Sequence, residues 1–332
     1  MSINVGCALN NCTLLDGKQV SVINVTVADE PAQEHEQHWI WSVIGRPTVQ
    51  AAITSPGNYA YVNWSLIFNT DDMGRSILYK DSPHYSGAVM LMHLIEFDDP
   101  DDCGILEKSP KPPVVYPIVN FHWKRRILED STERLAVQFI GSNYSSPLNE
   151  TFIKGHINLT LSAYSNDGFG HWLPHLSHNS KTSQVDIQLE HLESSSGFNN
   201  SRYAVELYIV SNTSSDSSVI RQVTTTLDDE HTPGIFKTEE LIMPGDRNGT
   251  KHESYLQWRP VVYTTRARDL SESTGVNVSS SIKVTEIGSQ LSKSLLYVLY
   301  GNDLENYLVR RINVTFGSPE DGFFKKTKFQ AW

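Results

Sequence analysis

Apolar and polar residues alternate in short runs along most of the chain. In HINLTLSAY, residues 156–164, Ile157, Leu159 and Leu161 share one side of a period of two, which is the pattern of a strand with one buried face. Runs of this kind cover residues 20–27, 61–67, 157–164, 185–192, 203–210, 256–263, 282–287 and 311–316. The alternation predicts many short strands, each with one face in a core.

The segments between these runs are rich in turn-forming residues, as in SPGNY, SNDGFG, NTSSDSS and PGDRNG. Long amphipathic helical patterns are nearly absent, and residues 289–300 are the best candidate for a helix. The proline-rich residues 108–117 are predicted to form an extended loop. The sequence therefore predicts an all-β, antiparallel, sandwich-like fold with little helix.

The chain of 332 residues is long enough for two medium-sized units, and we expect two packed sandwich subdomains. The boundary is placed at residues 166–182, which are rich in Gly, His and Ser and have no clean period. The prediction is an N-terminal subdomain at residues 1–165, a linker at residues 166–182 and a C-terminal subdomain at residues 183–332.

Acceptor sequences for N-linked glycosylation, Asn-x-Ser/Thr, are unusually frequent. They account for 11 of the 21 Asn, whereas 59 Ser and Thr in 332 residues would give about four by chance. Several fall on the polar side of an alternating run, so we expect Asn63, Asn158 and Asn313 to be exposed on outward strand faces. The predicted glycosylation sites are Asn11, Asn24, Asn63, Asn143, Asn149, Asn158, Asn199, Asn212, Asn248, Asn277 and Asn313.

Charge and cysteine content narrow the class of protein. The formal net charge of −11 argues against nucleic acid as a partner. Cys7, Cys12 and Cys103 allow at most one disulfide, and the sequence does not say which pair forms it. No run qualifies as a signal peptide or a membrane span. Since glycan acceptors are useful only in the secretory pathway, we expect the chain to be the luminal part of a longer precursor.

Candidate catalytic and metal-binding patterns are weak. His171, His175 and His178 have a spacing that could hold a metal, but Pro174 argues against a helix there and a polar loop is favoured. The acidic residues 98–102 lack the spacing of a calcium loop, so a solvated loop is favoured. The run 228–231 is interpreted as a surface turn rather than an acid–base pair. The sequence thus predicts no catalytic residue, no cofactor and no metal.

Particular segments resemble one family. The segments are VNWSL at 62–66, LIEFD at 94–98, DDEHTPGIF at 228–236, QWRP at 257–260 and NVTFGSP at 313–319. Together they resemble, in order, the luminal region of the glycosylated lysosomal membrane protein family. Vertebrate members carry paired cysteines in the second half, where this chain has none after Cys103, so it would be a distant member.

The resemblance implies a type I lysosomal membrane glycoprotein, with its luminal domain followed by one C-terminal span that is absent from this chain. It further implies a non-enzymatic accessory subunit that protects a lysosomal major-facilitator transporter, which carries dipeptides, from proteolysis and supports its lysosomal localisation. Two other classes stay open. One is a secreted or lysosomal β-sandwich glycoside hydrolase using carboxylates such as Asp98, Asp228 or Glu230, and the other is a cell-surface adhesion or receptor ectodomain.

A docking face should lack acceptor sequences, because a glycan prevents close approach. Two long stretches lack them, at residues 64–142 and 213–247. The resemblance implies acceptors near residues 121–130 in other members, so the second stretch is preferred. It combines charged and apolar residues, as an interface requires. The candidate partner face consists of Asp228, Asp229, Glu230, His231, Leu241, Ile242 and Met243. The oligomeric state is not predicted.

Overall fold

The computed structural model describes most of the chain. The described residues are 1–7, 12, 20–28, 34–68, 73–101, 103–146, 152–169, 177–194, 196–211, 220–228, 233–247, 250–258, 282–284, 291, 293–316 and 326–331. Among them no helix is long and apolar enough to cross a membrane.

Twenty-one strands and two short α-helices make up the regular structure of this part. The strands are β1 (Ser2–Ile3), β2 (Val22–Ala28), β3 (Glu36–Ser42), β4 (Thr48–Thr54), β5 (Ala60–Val62), β6 (Ile77–Tyr79), β7 (Tyr85–Asp98), β8 (Val114–Pro117), β9 (His122–Asp130), β10 (Arg134–Ser142), β11 (Ile153–Tyr164), β12 (Gly168–Phe169), β13 (Ser177–His178), β14 (Ser183–Ser194), β15 (Ser201–Ser211), β16 (Ile220–Asp228), β17 (Pro233–Arg247), β18 (Thr250–Trp258), β19 (Ile282–Lys283), β20 (Leu308–Thr315) and β21 (Lys326–Ala331). The helices are α1 (Trp64–Phe68) and α2 (Leu295–Tyr300), and 3-10 turns lie at Leu106–Lys108, Ile118–Asn120 and Gly301–Asn306.

Two large antiparallel sheets dominate the fold. The nine-stranded sheet has the order β1-β2-β3-β4-β7-β15-β20-β19, with β8 added beside β7. The eight-stranded sheet has the order β16-β17-β18-β21-β14-β11-β10-β9. The prediction of an all-β, antiparallel, sandwich-like fold is therefore confirmed.

The predicted division into two subdomains is wrong, because each large sheet takes strands from both halves of the sequence. In the nine-stranded sheet, β7 pairs with β15 over eleven residue pairs, from Ser201 opposite Asp98 to Ser211 opposite Gly87. In the eight-stranded sheet, β11 of the first half pairs with β14 of the second. Residues 166–182 therefore do not separate two cores. Local composition marked a connection there, but strand pairing between distant segments decides where a domain ends.

The main core lies between the two sheets. Trp39, Trp41, Leu94, Phe139 and Ile157 are almost completely buried in it, together with apolar residues from both sheets. The indole Nε1 of Trp41 donates to Ser183 Oγ at 3.1 Å, which joins one sheet to the other inside this core. Replacing a buried leucine here by alanine would cost about 2–5 kcal/mol, because interiors are close-packed.

A second core covers the opposite face of the nine-stranded sheet. Met90 and Met92 of β7 are fully buried there against Leu295 and Val298 of α2, and Trp64 of α1 joins the same cluster. The strand β7 is therefore buried on both faces, which explains the continuous apolar run of its sequence. The nine-stranded sheet is the middle of three layers.

One run predicted as a strand is helical instead. Residues 61–67 alternate, but the chain leaves β5 at Val62 and forms α1 from Trp64. Asn63 caps the turn, since its Oδ1 accepts from Leu66 N at 3.4 Å and its carbonyl accepts from Ile67 N at 3.3 Å. Trp64 and Ile67, three residues apart, then face the second core. The capping asparagine and this packing outweigh the alternation.

The turn between β3 and β4 fixes the position of α2. Gly45 has φ +65°, and a Cβ atom on it would lie 2.0 Å from Lys293 O. Beside it, Leu295 N donates to Ile44 O at 3.2 Å, so the start of α2 is bonded to the turn. Only a residue without a side chain fits this approach.

We expect Gly45→Ala to lower the free energy of unfolding more than Gly57→Ala does. Both glycines have a positive φ, +65° and +75°, but a Cβ on Gly57 would meet nothing within 4 Å. The control should cost about 1–2 kcal/mol of backbone strain, and Gly45→Ala a further 1–3 kcal/mol or so from the overlap. Urea denaturation measures both, and equal costs would contradict the close approach.

Candidate functional site: acceptor asparagines and buried polar groups

Among the acceptor asparagines that the structure describes, three are exposed, and all three lie next to the end or the start of an element. Asn63 is the cap of α1 described above, Asn143 follows β10, and Asn199 lies in the connection between β14 and β15. Asn143 has φ +50°, a conformation that asparagine tolerates better than most residues. The expected exposure of Asn63 is confirmed, although it lies at a helix start and not on a strand face.

The expected exposure of Asn158 is wrong. The alternation of β11 is correct, because Ile157, Leu159 and Leu161 lie in the main core. On the other face, however, Asn158 is only 7% exposed. It lies opposite Ile140 on one neighbouring strand and Gln188 on the other, and its Oδ1 accepts no hydrogen bond from the described residues. The residue faces away from the core but not into open solvent.

The acceptors Asn24 and Asn313 are half-buried, so the expectation of a fully exposed Asn313 is also wrong. Both lie within the nine-stranded sheet, where Asn24 is opposite Ile40 and Asn313 is opposite Glu206. Because this sheet has another layer on each face, its strands have little outward surface. The remaining predicted acceptors lie outside the described residues: Asn11, Asn149, Asn212, Asn248 and Asn277.

The turn that carries Asn199 is held by buried carboxylates. Asn200 N donates to Asp98 Oδ1 at 3.2 Å, and Asn200 Nδ2 donates to Asp99 O at 2.6 Å. Asp99 N in turn donates to Asn200 O at 2.9 Å. These bonds fix the backbone next to Asn199 while its side chain stays outside. The end of β7 therefore positions a glycan acceptor.

Asp98 and Asp99 are 3% exposed, so the prediction of a solvated acidic loop is wrong for both. Asp99 forms an ion pair with Arg202 at 2.8 Å inside the protein. The hydrogen bond from Asn200 N, with help from Lys111 at 3.4 Å, holds the pKa of Asp98 below its usual range. Asp98 therefore stays ionised in acid, whereas a general acid needs a raised pKa.

The sequence pattern did not point to a third carboxylate of this group. Glu96 is fully buried and accepts from Tyr116 at 3.0 Å, from Ser196 at 2.7 Å and from Ser201 at 2.6 Å. The one signal in the sequence is a glutamate inside an apolar run. Since each of these carboxylates is hydrogen-bonded to groups from β8, β15 or their connections, the cluster joins strands together. Among the described residues no group of three His, Cys, Asp or Glu could hold a metal ion.

Of the candidate partner face, Leu241 is the residue that the structure contradicts. Leu241 is 1% exposed and belongs to the main core, so it cannot lie on a docking surface. Ile242 is partly exposed, in keeping with the alternation of β17. Asp228 is the last residue of β16 and lies opposite Pro233. For Asp228 and Met243 the structure describes the backbone only. Asp229, Glu230 and His231 lie outside the described residues.

A cavity of about 330 Å³ lies between β6 and α2. Its polar lining forms a chain in which Tyr79 donates to Gln50 at 2.9 Å, Gln50 donates to Ser86 at 3.0 Å, and Ser86 shares a 2.7 Å bond with Tyr300. Burial raises the pKa of both tyrosines well above its usual range, so they stay protonated. The hydroxyls and the amide bond one another, which ties the helical layer to the sheet.

The cysteine pairing left open by the sequence is settled. Cys7 forms a disulfide with Cys12, whose backbone carbonyl accepts from Val20 N at 2.7 Å. The thiol of Cys103 donates to Asp99 Oδ1 at 3.3 Å. The disulfide therefore lies beside the acceptor Asn11, and it fastens the N-terminal segment near the second core.

His38 is a buried titratable group at the centre of β3. Its ring bonds Thr26 at 3.3 Å and Thr54 at 3.1 Å across the neighbouring strands, and it is 1% exposed. Burial lowers the pKa of His38, and Glu36 at 3.9 Å offsets this only in part.

We expect His38→Gln to reduce the loss of stability between pH 7 and pH 5. The unfolded histidine has a pKa of about 6.5 and takes up a proton over this range, whereas the folded one resists it, so wild-type stability falls as the pH falls. The effect is at most about 2 kcal/mol. Glutamine can still bond both threonines. His84→Gln, at an exposed position, is the control, and identical pH profiles for all three proteins would contradict this role.

Glycans should be attached at the asparagines whose side chains are exposed and absent from the buried one. We expect Asn63→Gln, Asn143→Gln and Asn199→Gln each to remove one glycan from the secreted protein, because these side chains are open to solvent. Thr160→Ala, which destroys the acceptor sequence at Asn158, should remove none. Intact mass spectrometry before and after glycosidase treatment measures this. A mass decrease in Thr160→Ala would show that the outer face of β11 is open in the mature protein.

Comparison with known proteins identifies the family. Residues 24–332 match the family model described as glycosylated lysosomal membrane protein. The chain is 25% identical over 302 residues to glycosylated lysosomal membrane protein A of Xenopus laevis. The aligned residues cover 89% of this chain and 72% of that protein. It is 24% identical to the Mus musculus protein, over 89% of this chain and 70% of that protein. It is 29% identical to the Homo sapiens protein, over 68% of this chain and 54% of that protein. The chain therefore belongs to the glycosylated lysosomal membrane protein family, and its place is the lysosomal membrane.

Proposed function

We propose that this protein is a non-enzymatic accessory subunit of a lysosomal major-facilitator transporter, which carries dipeptides. Its glycosylated luminal domain protects the transporter from luminal proteases and supports its lysosomal localisation. The observation that carries the proposal is the combination of solvent-exposed glycan acceptors with buried acidic groups that are already bonded. The exposed asparagines are positions at which glycans can shield the protein from proteases. The carboxylates of β7 are buried and hydrogen-bonded, so they stabilise the fold.

The burial of β7 and the positions of the exposed acceptors also support this role. A protease needs an extended, accessible segment, and β7 is covered on both faces. The exposed acceptors Asn63, Asn143 and Asn199 lie at element ends, which are the places where cleavage would otherwise begin. Bulky glycans at these points hinder access of a protease to the backbone. A subunit that resists luminal proteases can protect a partner that does not.

We expect the triple variant Ser65→Ala, Ser145→Ala, Asn199→Gln, which removes the acceptor sequences of Asn63, Asn143 and Asn199, to shorten the lifetime of the transporter in lysosomes. Membrane-anchored protein is expressed in cells that lack the endogenous subunit, and transporter half-life is measured after translation is blocked. Asn63 still caps α1 and Asn143 keeps its positive-φ position, so the variant should keep a wild-type unfolding transition. Thr160→Ala serves as the matched control, because it removes an acceptor sequence at a buried asparagine.

Two results would overturn the proposal. One is failure of any major-facilitator transporter to co-purify with the anchored protein after mild crosslinking and mass spectrometry. The other is an unchanged transporter half-life when the anchored protein is absent altogether. A changed half-life with intact co-purification in the triple variant would assign the shielding to the glycans.

A further inference from the structure

In the part of the chain that the structure describes, β9 forms one edge of the eight-stranded sheet, and its outer side has an unusual composition. Ile127 and Leu128 are 47% and 42% exposed, although both are large apolar residues. Three basic residues precede them and two acidic residues follow, as the sequence KRRILED, residues 124–130, shows. Exposed apolar residues on an unpaired edge favour association, and proteins usually avoid them there.

A β-bulge at Ile127 and Leu128 determines which side chains of β9 point to the same face of the sheet. Ile127 lies opposite Val137 and Glu129 lies opposite Ala136, so Leu128 is an extra residue without a partner on β10. Before the bulge, Arg125 faces the inside, where it donates to Ser21 Oγ at 2.9 Å. Arg126, as its neighbour in a strand, faces the outside.

After the bulge the alternation is shifted by one residue. Glu129 lies on the outer face, where it pairs with Arg134 at 3.2 Å, and Arg134 also bonds Ser162 of that face. Asp130 lies opposite Leu135, which packs against the main core, so it faces the inside. The outer face of β9 thus carries Arg126 before the bulge and Glu129 after it.

We propose that two copies of this chain associate through β9, edge to edge and antiparallel, around a twofold axis at the bulge. In this register Ile127 of one copy meets Leu128 of the other. Arg126 then lies opposite Glu129 on the outer face, and Arg125 lies opposite Asp130 on the inner face. Each charged pair occurs twice because a twofold interface repeats its contacts.

The register is selected by faces and charges together. In antiparallel pairing, opposed residues must point to the same face of the sheet. Centring the axis on Ile127 instead would oppose Arg125, on the inner face, with Glu129, on the outer face. Only the axis between Ile127 and Leu128 joins the two apolar residues and both pairs of opposite charge.

The same charges favour a second copy over a uniformly charged partner. An acidic segment laid along β9 would meet Lys124 and Arg126 at one end but Glu129 and Asp130 at the other. A second antiparallel copy reverses the order and places Arg125 and Arg126 opposite Asp130 and Glu129. The strand also carries no glycan acceptor, since this chain has none from residue 64 to residue 142. The next acceptor, Asn143, follows Ser142 on β10. Ser142 lies opposite His122, at the end of β9 that is distant from the bulge.

Sedimentation equilibrium of the glycosylated secreted chain tests the proposal. We expect a monomer–dimer equilibrium in which the dimer grows between about 1 and 100 µM protein. Arg126→Glu and Glu129→Arg should each weaken the dimer by about tenfold or more, because like charges would face each other twice. The double variant should restore it, because the pairs are re-formed with their signs exchanged.

Lys124→Glu is the matched control for charge reversal. It lies on the same strand, but in the proposed register it faces Ser131 of the second copy, so the dimer should persist. A wild-type chain that stays monomeric throughout this range would overturn the proposal, as would failure of the double variant to restore the dimer while its unfolding transition is normal. The dimer proposal would also be overturned if the chain is monomeric and Arg126→Glu abolishes co-purification with the transporter. The edge of β9 would then bind the transporter. The proposed transporter role does not depend on this dimer.

Discussion

The ladder between β7 and β15 joins the two halves of the chain, and most other features depend on it. It places residues 85–98 beside residues 201–211 in the middle of the nine-stranded sheet. Both faces of β7 are then covered, by the eight-stranded sheet on one side and by α1 and α2 on the other. Such a strand must be apolar throughout, and the only carboxylates it carries lie at its end. There Glu96, Asp98 and Asp99 are buried with hydrogen-bonding partners.

This arrangement determines where glycans can be attached. A sheet in the middle of three layers offers little outward surface, which is why Asn24 and Asn313 are half-buried despite their regular strand positions. The exposed acceptors lie instead at the ends of elements. At Asn199 the buried acidic residues fix the neighbouring backbone, so the stability of the core and the presentation of a glycan share the same hydrogen bonds.

The acidic compartment of a lysosomal membrane protein places opposite demands on its buried ionisable groups. Asp98 has a lowered pKa and keeps its charge in acid, so its hydrogen bonds persist there. His38 also has a lowered pKa, but for a base this means that acid opposes the folded state. The fold therefore contains one buried group suited to a low pH and one that works against it. Glu36, near His38, moderates the second effect.

The strand periodicity, the all-β class and the family could all be predicted from the order of the amino acids. Period-two alternation depends on neighbouring residues alone, so β11, β14 and β15 could be located from it within a few residues. The family is carried by segments in order, which also needs no coordinates. The helix α1 was missed because its cap and its buried face required knowledge of what packs against Trp64.

Which polar strand faces reach solvent depends on the packing of the folded chain. Alternation says that Asn158 faces away from Leu159, but the side chains beside it come from β10 and β14, about 20 and 30 residues distant in sequence. The same limit applies to the domain boundary, since β7 and β15 are neighbours only after the chain has folded. Exposure and domain limits are properties of long-range pairing, and a local pattern carries no information about partners that are distant along the chain.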